Sequence, residues 1–275
     1  MKKVLTIAGS DSTGGAGLQA DLKTFQEYGV FGFSSLTSVV TMDPDSGWSH
    51  EVTEMPVDLL EKQLISVFAG GPVGALKTGM MGNETNIALA SEYIARYPET
   101  KVVIDPVIAC KGTAQILQPK SVAAIKEYLL PVALVTTPNL LEAGILSEMG
   151  DLTSIEDMKK AARLIHQQGA KNVVVKGGHR LGGDKAVDLL YDGTDFVLLE
   201  NELYQTDRNH GAGCTFAAAI TAGLAKGLSV PAAVALGKKF VAQAIKQGVQ
   251  VNPYVGHVWH GAYNTAEHRI TPEQD

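Results

Sequence analysis

An α/β fold is predicted, with one mostly parallel central sheet covered by helices on both faces. Three observations predict it. Short apolar strands alternate with helical stretches along the whole chain, which is the pattern of repeated βαβ units. The strands read as continuous apolar runs, as parallel strands buried on both faces do. Polar and glycine signals gather where strands end, at Gly9-Ser10-Asp11, Lys77-Thr78-Gly79, Asp105-Pro106, Thr137-Pro138-Asn139 and Lys176-Gly177-Gly178. In open α/β sheets those carboxyl ends are where ligands bind.

Residues 3–8 form the first predicted strand. A helix follows over 18–28, with Leu18, Leu22 and Phe25 on one face and Asp21, Lys23 and Glu27 among its polar positions. A run rich in β-branched residues over 34–41 is the next strand, and 57–68 is helical. Residues 74–78 make a short strand, 84–96 a helix, 101–104 a strand and 120–130 a helix. The next strand, 133–136, ends at Thr137-Pro138-Asn139. Ser154 caps a helix reaching 168, with Asp157 placed to meet the positive end of the helix dipole. A strand over 172–175 precedes two short strands, 186–191 and 196–199, hinged at Asp192-Gly193 as a hairpin. Helices over 215–226 and 231–247 close the pattern. No composition break or low-complexity run divides the 275 residues, so one domain is expected over 1–275.

Bulk composition narrows the function. Hydrophobic residues are 45% and charged residues 19%, ordinary values for a globular enzyme. A formal net charge of −6 gives no general attraction to nucleic acid or anionic membrane, so neither partner is expected. The apolar run at the start is too short for a signal-peptide core, and no stretch approaches the roughly 20 apolar residues of a membrane span. A cytoplasmic location is expected. There, the two cysteines, Cys110 and Cys214, are expected as free thiols.

The chemistry concentrates in a few loops. In Gly211-Ala212-Gly213-Cys214, two glycines let backbone N–H groups converge on a small anion, and the helix that follows adds its positive end. Such a turn can hold a phosphoryl group in transfer. Cys214 stands at the helix start, where a depressed thiol pKa is expected and a thiolate can accept a proton from a substrate hydroxyl. A tight turn entering a buried Ala-rich helix fits the same residues, and this segment alone does not choose between the two. Gly14-Gly15-Ala16-Gly17 is neither a dinucleotide fingerprint nor a Walker A loop; it suits close approach of a helix to a small molecule, with Asp21 near enough to reach into the site. Asp105 at a strand end suits magnesium, and so does the Asn139/Glu142 pair, expected on the loop and turn after another strand. A helix-cap or turn Asp fits Asp105 equally, and solvent-facing loop residues also fit the Asn139/Glu142 pair. Lys176, at another strand end, suits a nucleotide phosphate or simply a solvated end. Residues 108–118, around Cys110-Lys111-Gly112, have little periodicity and read as a mobile lid over the site.

Taken in order, Leu5-Thr6-Ile7-Ala8-Gly9-Ser10-Asp11, Gly14-Gly15-Ala16-Gly17-Leu18-Gln19-Ala20-Asp21-Leu22-Lys23-Thr24-Phe25, Lys77-Thr78-Gly79-Met80, Asp105-Pro106-Val107, Thr137-Pro138-Asn139, Val175-Lys176-Gly177-Gly178-His179 and His210-Gly211-Ala212-Gly213-Cys214-Thr215 span nearly the whole chain. The set resembles the ribokinase superfamily, in the branch holding pyridoxal kinases and the hydroxymethylpyrimidine (phosphate) kinases of thiamin synthesis. The resemblance implies a ribokinase-like three-layer αβα sandwich, ATP with Mg2+, and a homodimer. It implies that Gly9, Asp21, Val40 and Met42 line the substrate pocket. His50 suits completing that pocket, and a surface-loop histidine fits it at least as well. Asn139, Glu142, Lys176 and Thr215 would serve ATP, with Asp105 and Glu142 on the metal. Gly211 and Gly213 would form the anion hole, and Cys214 would take the base position, where many relatives carry Asp.

Two features point to pyridoxal within that branch. Met42 stands where the thiamin-pathway kinases typically carry Gln. Cys110 lies in the predicted lid, as in a dual-cysteine subgroup that phosphorylates pyridoxal; a thiolate adds reversibly to an aldehyde, which hydroxymethylpyrimidine lacks. The expected activity is ATP-dependent phosphorylation of the pyridoxal 5′-hydroxyl in vitamin B6 salvage. A hydroxymethylpyrimidine kinase is the nearest alternative. A nicotinamide-dependent oxidoreductase lacks its glycine fingerprint here, and a non-catalytic binding module sits poorly with the intact polar set.

Overall fold

The computed structural model describes residues 1–108, 119–178, 180–181 and 183–264. Nine strands form one sheet in the order β3-β2-β1-β4-β5-β6-β7-β8-β9. The strands are β1 (Lys3–Asp11), β2 (Phe31–Asp43), β3 (Ser49–Glu54), β4 (Ala75–Thr78), β5 (Lys101–Ile104), β6 (Val135–Thr136), β7 (Val173–Gly178), β8 (Lys185–Tyr191) and β9 (Phe196–Glu202). The six from β2 across to β7 run parallel, and β3, β8 and β9 are antiparallel additions at the two edges. From β1 the chain goes first to β2 on one side and later to β4 on the other. This puts the topological switch between β1 and β4, where a crevice opens beyond the strand ends.

Side-chain alternation explains the three layers. Leu5 and Ile7 of β1, Leu76 of β4, Val102 and Ile104 of β5, and Val173 and Val175 of β7 share one core cluster. That cluster includes Leu60 and Leu64 of α2 (Val57–Phe68), Ile87 of α3 (Glu84–Ala95), Leu146 of α5 (Leu140–Ser147) and Ile165 of α6 (Ile155–Gln167). The intervening residues Val4, Ala75, Val103 and Val174 face the other way, onto α1 (Gly17–Glu27), α7 (Ala212–Ala225) and α8 (Val230–Lys246). A period of two along each strand thus feeds both helical layers. Each large side chain so buried contributes about 1.5–3 kcal/mol.

The parallel strands and most helices fall where the sequence predicts them, to within a few residues. The predicted helix over 120–130 is α4 (Pro119–Ala124) followed by a wider turn, Ile125–Leu129. Several elements are additions. Ser49–Glu54 is the edge strand β3, antiparallel to β2 with Met42 opposite His50. Leu140 opens the helix α5, so Asn139 and Glu142 do not lie on a loop: Asn139 is the N-cap and Glu142 the third helical residue. A small hairpin, β10 (Val249–Gln250) and β11 (Gly256–His257), follows α8. Of the predicted lid, only Ile108 is among the described residues, and it is buried.

Candidate active site

Two cavities open at the carboxyl ends of the strands and meet at the start of α7. The first, of about 240 Å³, is walled by the ends of β1 and β4, by Val40 and Met42 of β2, by His50, and by Asp105, Glu142 and Cys214. The second, of about 320 Å³, lies toward β8, β9 and α8, with Phe216, Val241 and Ile245 on its apolar side. Asn139, Lys176, Asn209, Ala212 and Gly213 line both. A ligand in one cavity can therefore face a ligand in the other across the α7 turn.

That turn is built by packing. Gly211 precedes α7 with φ +85°, and a Cβ there would stand 1.8 Å from the Gly15 carbonyl oxygen, so only glycine fits. Among the described residues no side chain caps α7, and its first turn holds no acidic residue. From behind, the Thr215 hydroxyl donates to the Gly211 carbonyl at 2.8 Å and lies 3.0 Å from His260 Nε2. Thr215 is fully buried and faces away from both cavities, which corrects its expected place on the nucleotide. Alongside, His210 Nε2 sits 2.8 Å from Asp11 Oδ2. Asp11 also accepts from the Thr13 N–H and hydroxyl and from the Ala16 N–H. Burial works to raise the Asp11 carboxyl, but the hydrogen bonds from His210 and Thr13 outweigh it and hold it well below the usual carboxylate range.

A charged row crosses the floor. Asn139 and Lys176 form an isolated parallel bridge between the end of β6 and β7. Asn139 Oδ1 accepts from the Glu142 N–H at 3.0 Å, and Glu142 Oε2 accepts from the Asn139 N–H at 2.8 Å, a complete capping box. Lys176 donates to Asp105 Oδ1 at 3.0 Å, and the Thr137 hydroxyl donates to the same atom at 3.1 Å. Glu142 is pushed up to about 7, mainly by burial and further by Asp105, against the pull of Lys176. Burial works against the Lys176 charge, and Asp105 and Glu142 outweigh it, so its pKa lies above the ordinary lysine value.

The substrate-side wall departs from the sequence expectation at Asp21, Lys77 and Cys214. Gly9, Val40, Met42 and His50 do line the smaller cavity. Asp21 does not: it is fully buried behind Lys77, whose ammonium donates to both Asp21 oxygens at 3.0 and 2.9 Å. Thr6 adds a third bond to Asp21 at 2.6 Å. Lys77 is the residue that reaches the cavity, and local sequence around it carries only a strand-end signal. The second correction is to the Cys214 thiol. Desolvation by the surrounding cavity wall pushes it up to about 12, and the pull of Lys77 and of the Gly17 N–H does not offset this. The helix start alone is too weak to depress it. Cys110 lies outside the described residues.

The wall that carries Met42 and His50 is pinned at its tip. Trp48 of the β2–β3 turn stacks on Tyr254 of the β10–β11 loop, with ring centroids 4.6 Å apart and planes 10° from parallel.

Comparison with known proteins agrees with this architecture. The sequence matches the phosphomethylpyrimidine kinase family over residues 11–259. It is 49% identical over 262 residues to the pyridoxine kinase of Bacillus subtilis, covering 95% of this chain and 97% of the relative. Identity to the hydroxymethylpyrimidine/phosphomethylpyrimidine kinase of the same organism is 41% over 261 residues, with 95% of each chain covered. The solved structure of pyridoxal kinase from Staphylococcus aureus with AMP-PCP and pyridoxal superposes with a TM-score of 0.90 at 52% identity, covering 98% of this chain and 97% of that one. The chain belongs to the phosphomethylpyrimidine kinase family.

Proposed function

We propose that this member of the phosphomethylpyrimidine kinase family is a pyridoxal kinase, transferring the terminal phosphoryl group of ATP to the 5′-hydroxyl of pyridoxal. The observation that carries the reading is the meeting of two cavities at one uncapped helix start. Val40, Met42 and Met80 give the smaller cavity an apolar wall for a flat ring, and the larger one has room and an apolar side for a nucleotide base. The phosphates then run toward Ala212 and Gly213, where backbone N–H groups and the dipole of α7 stabilise the charge in transfer.

Lys176 and Asn139, on both cavities, hold the phosphate chain in line. As the hydroxyl oxygen forms its bond to phosphorus, the bond to the ADP oxygen breaks, and the hydroxyl proton passes to Cys214 in the small fraction whose thiol has ionised. Asp105 and Glu142 fit magnesium, a hard cation that takes oxygen ligands. Such an ion would be held by one or two carboxylates together with the substrate phosphates. When bound, the ion neutralises phosphate charge.

Met42 supports pyridoxal over a pyrimidine, since a thioether offers no amide edge. Cys110 supports it through the aldehyde: its sulfur bonds the aldehyde carbon, the carbonyl electron pair moves to oxygen, and that oxygen takes a proton. The reading includes a homodimer, as the resemblance implies, and the cytoplasmic location expected from the sequence. Among the described residues no helix is long and apolar enough to cross a membrane. Sedimentation velocity at about twice the chain mass is the expected result for the dimer.

ADP release with pyridoxal, pyridoxine and hydroxymethylpyrimidine tests the assignment. Pyridoxal should turn over fastest. Turnover of hydroxymethylpyrimidine alone would overturn it. Cys110→Ala should lower pyridoxal turnover by about tenfold more than pyridoxine turnover, since only pyridoxal carries the aldehyde. Equal losses would remove the thiol from substrate binding.

A further inference from the structure

We propose that Lys77, clamped by Asp21, is a positioning residue whose ammonium, in the cavity wall that Cys214 shares, is the main cation opposing the cost of burying a Cys214 thiolate. Lys77 is fully buried, on the next-to-last residue of β4, and its ammonium lies in the same cavity wall as Cys214. Two of its three N–H groups are directed at Asp21, which leaves one uncommitted to that carboxylate. A buried lysine–aspartate pair is a poor device for stability, because desolvating both ions costs as much as their attraction returns. Its position explains it better: the cation faces the cavity and the anion stands behind it.

The charges around Cys214 single out Lys77. On α1, the Gly17 N–H favours a thiolate, while Asp21 opposes one. Beyond β5, Asp105 opposes it too. On β7, Lys176 favours it, but Lys176 is already bound to Asp105 and flanked by Glu142. Lys77 is the largest influence favouring the thiolate. Asp21 in turn holds Lys77 up at about 12 although burial works against its charge, so the ammonium persists across the physiological range.

The part this plays in phosphoryl transfer rests on the kinase reading; the ionisation of Cys214 does not. The test is therefore run without substrate. The pH dependence of iodoacetamide alkylation is followed at Cys214 by peptide mass spectrometry, with Cys110 as the internal control. In Lys77→Met, Cys214 alkylation at pH 8 should fall about tenfold or more, equivalent to a midpoint raised by about one unit. Lys77→Arg should restore most of the rate, and Cys110 should be unchanged in both. The double variant Asp21→Asn/Lys77→Met leaves no unpaired buried ion, and it covers the case in which Lys77→Met does not fold. It should move Cys214 in the same direction by a smaller factor. A folded Lys77→Met or double variant with the wild-type Cys214 profile overturns the proposal. A separate ADP-release assay with pyridoxal reports on the kinase reading, so either can fail alone.

Discussion

Helices α5 and α7 both start at the carboxyl edge of the same sheet, and they start in opposite ways. At α5, Asn139 caps the helix and Glu142, its third residue, returns a carboxylate to the cap's own N–H. At α7, a left-handed glycine takes the cap position, no side chain caps the turn, and the third residue is Cys214. A thiol at that position does not fill the helix end as a carboxylate does. One helix satisfies its own dipole; the other leaves its positive end for something else and is braced from behind through Thr215 and His260. An open helix end inside a protein marks where an anion belongs.

The difference can be broken at several points. Cys214→Ala should lower kcat by about a thousandfold, the range of a lost general base. ATP affinity by calorimetry should stay within about twofold, because the backbone turn is untouched; retained turnover would remove Cys214 from proton transfer. The brace should fail in acid. His260 is held down to about 4 by burial, helped by Lys23 and His257, against an ordinary value of 6.5. Between pH 6.5 and 4 the unfolded chain takes up the proton and the folded protein does not. This contribution is therefore complete above 6.5 and shrinks as pH falls, by about 3 kcal/mol at pH 4. Urea midpoints measured across that window should show the loss, and His260→Gln should flatten it; an unchanged slope would mean other groups drive it.

Converting α7 into a copy of α5 sharpens the contrast. Cys214→Glu places a carboxylate in the open helix end and should weaken AMP-PCP binding at least about tenfold, where Cys214→Ala does not. Equal affinities would mean that the phosphates avoid this turn. The smallest effect is at α5 itself: Asn139→Ala should cost about 1 kcal/mol in urea melts, the worth of one N-cap.

What the sequence discloses follows from how local the physics is. The buried parallel strands are legible because both faces are apolar, and α2 and α6 because their faces repeat at helical spacing. Strand β3 is not, because nearly all of Ser49–Glu54 is exposed and no apolar alternation marks it. Helix α5 carries a readable sign, an Asn and a Glu three apart before an apolar run, and taking the pair only as magnesium ligands hides it. Asp21 and Thr215 show the other limit. Periodicity places each near the site but does not say which way it faces, and their partners Lys77 and His260 lie 56 and 45 residues away. The same holds for Cys214, whose helix position suggests a low pKa while long-range burial sets a high one.

The central claim is spatial: the terminal phosphate of ATP rests on the open end of α7, between a ring-binding and a base-binding cavity. A crystal structure with a non-hydrolysable ATP analogue and pyridoxal tests it directly. The terminal phosphate should lie against the backbone of Gly211 to Cys214, with the 5′-hydroxyl of pyridoxal facing it from the Met42 side. Phosphates bound away from α7, or pyridoxal seated in the larger cavity, would contradict the account.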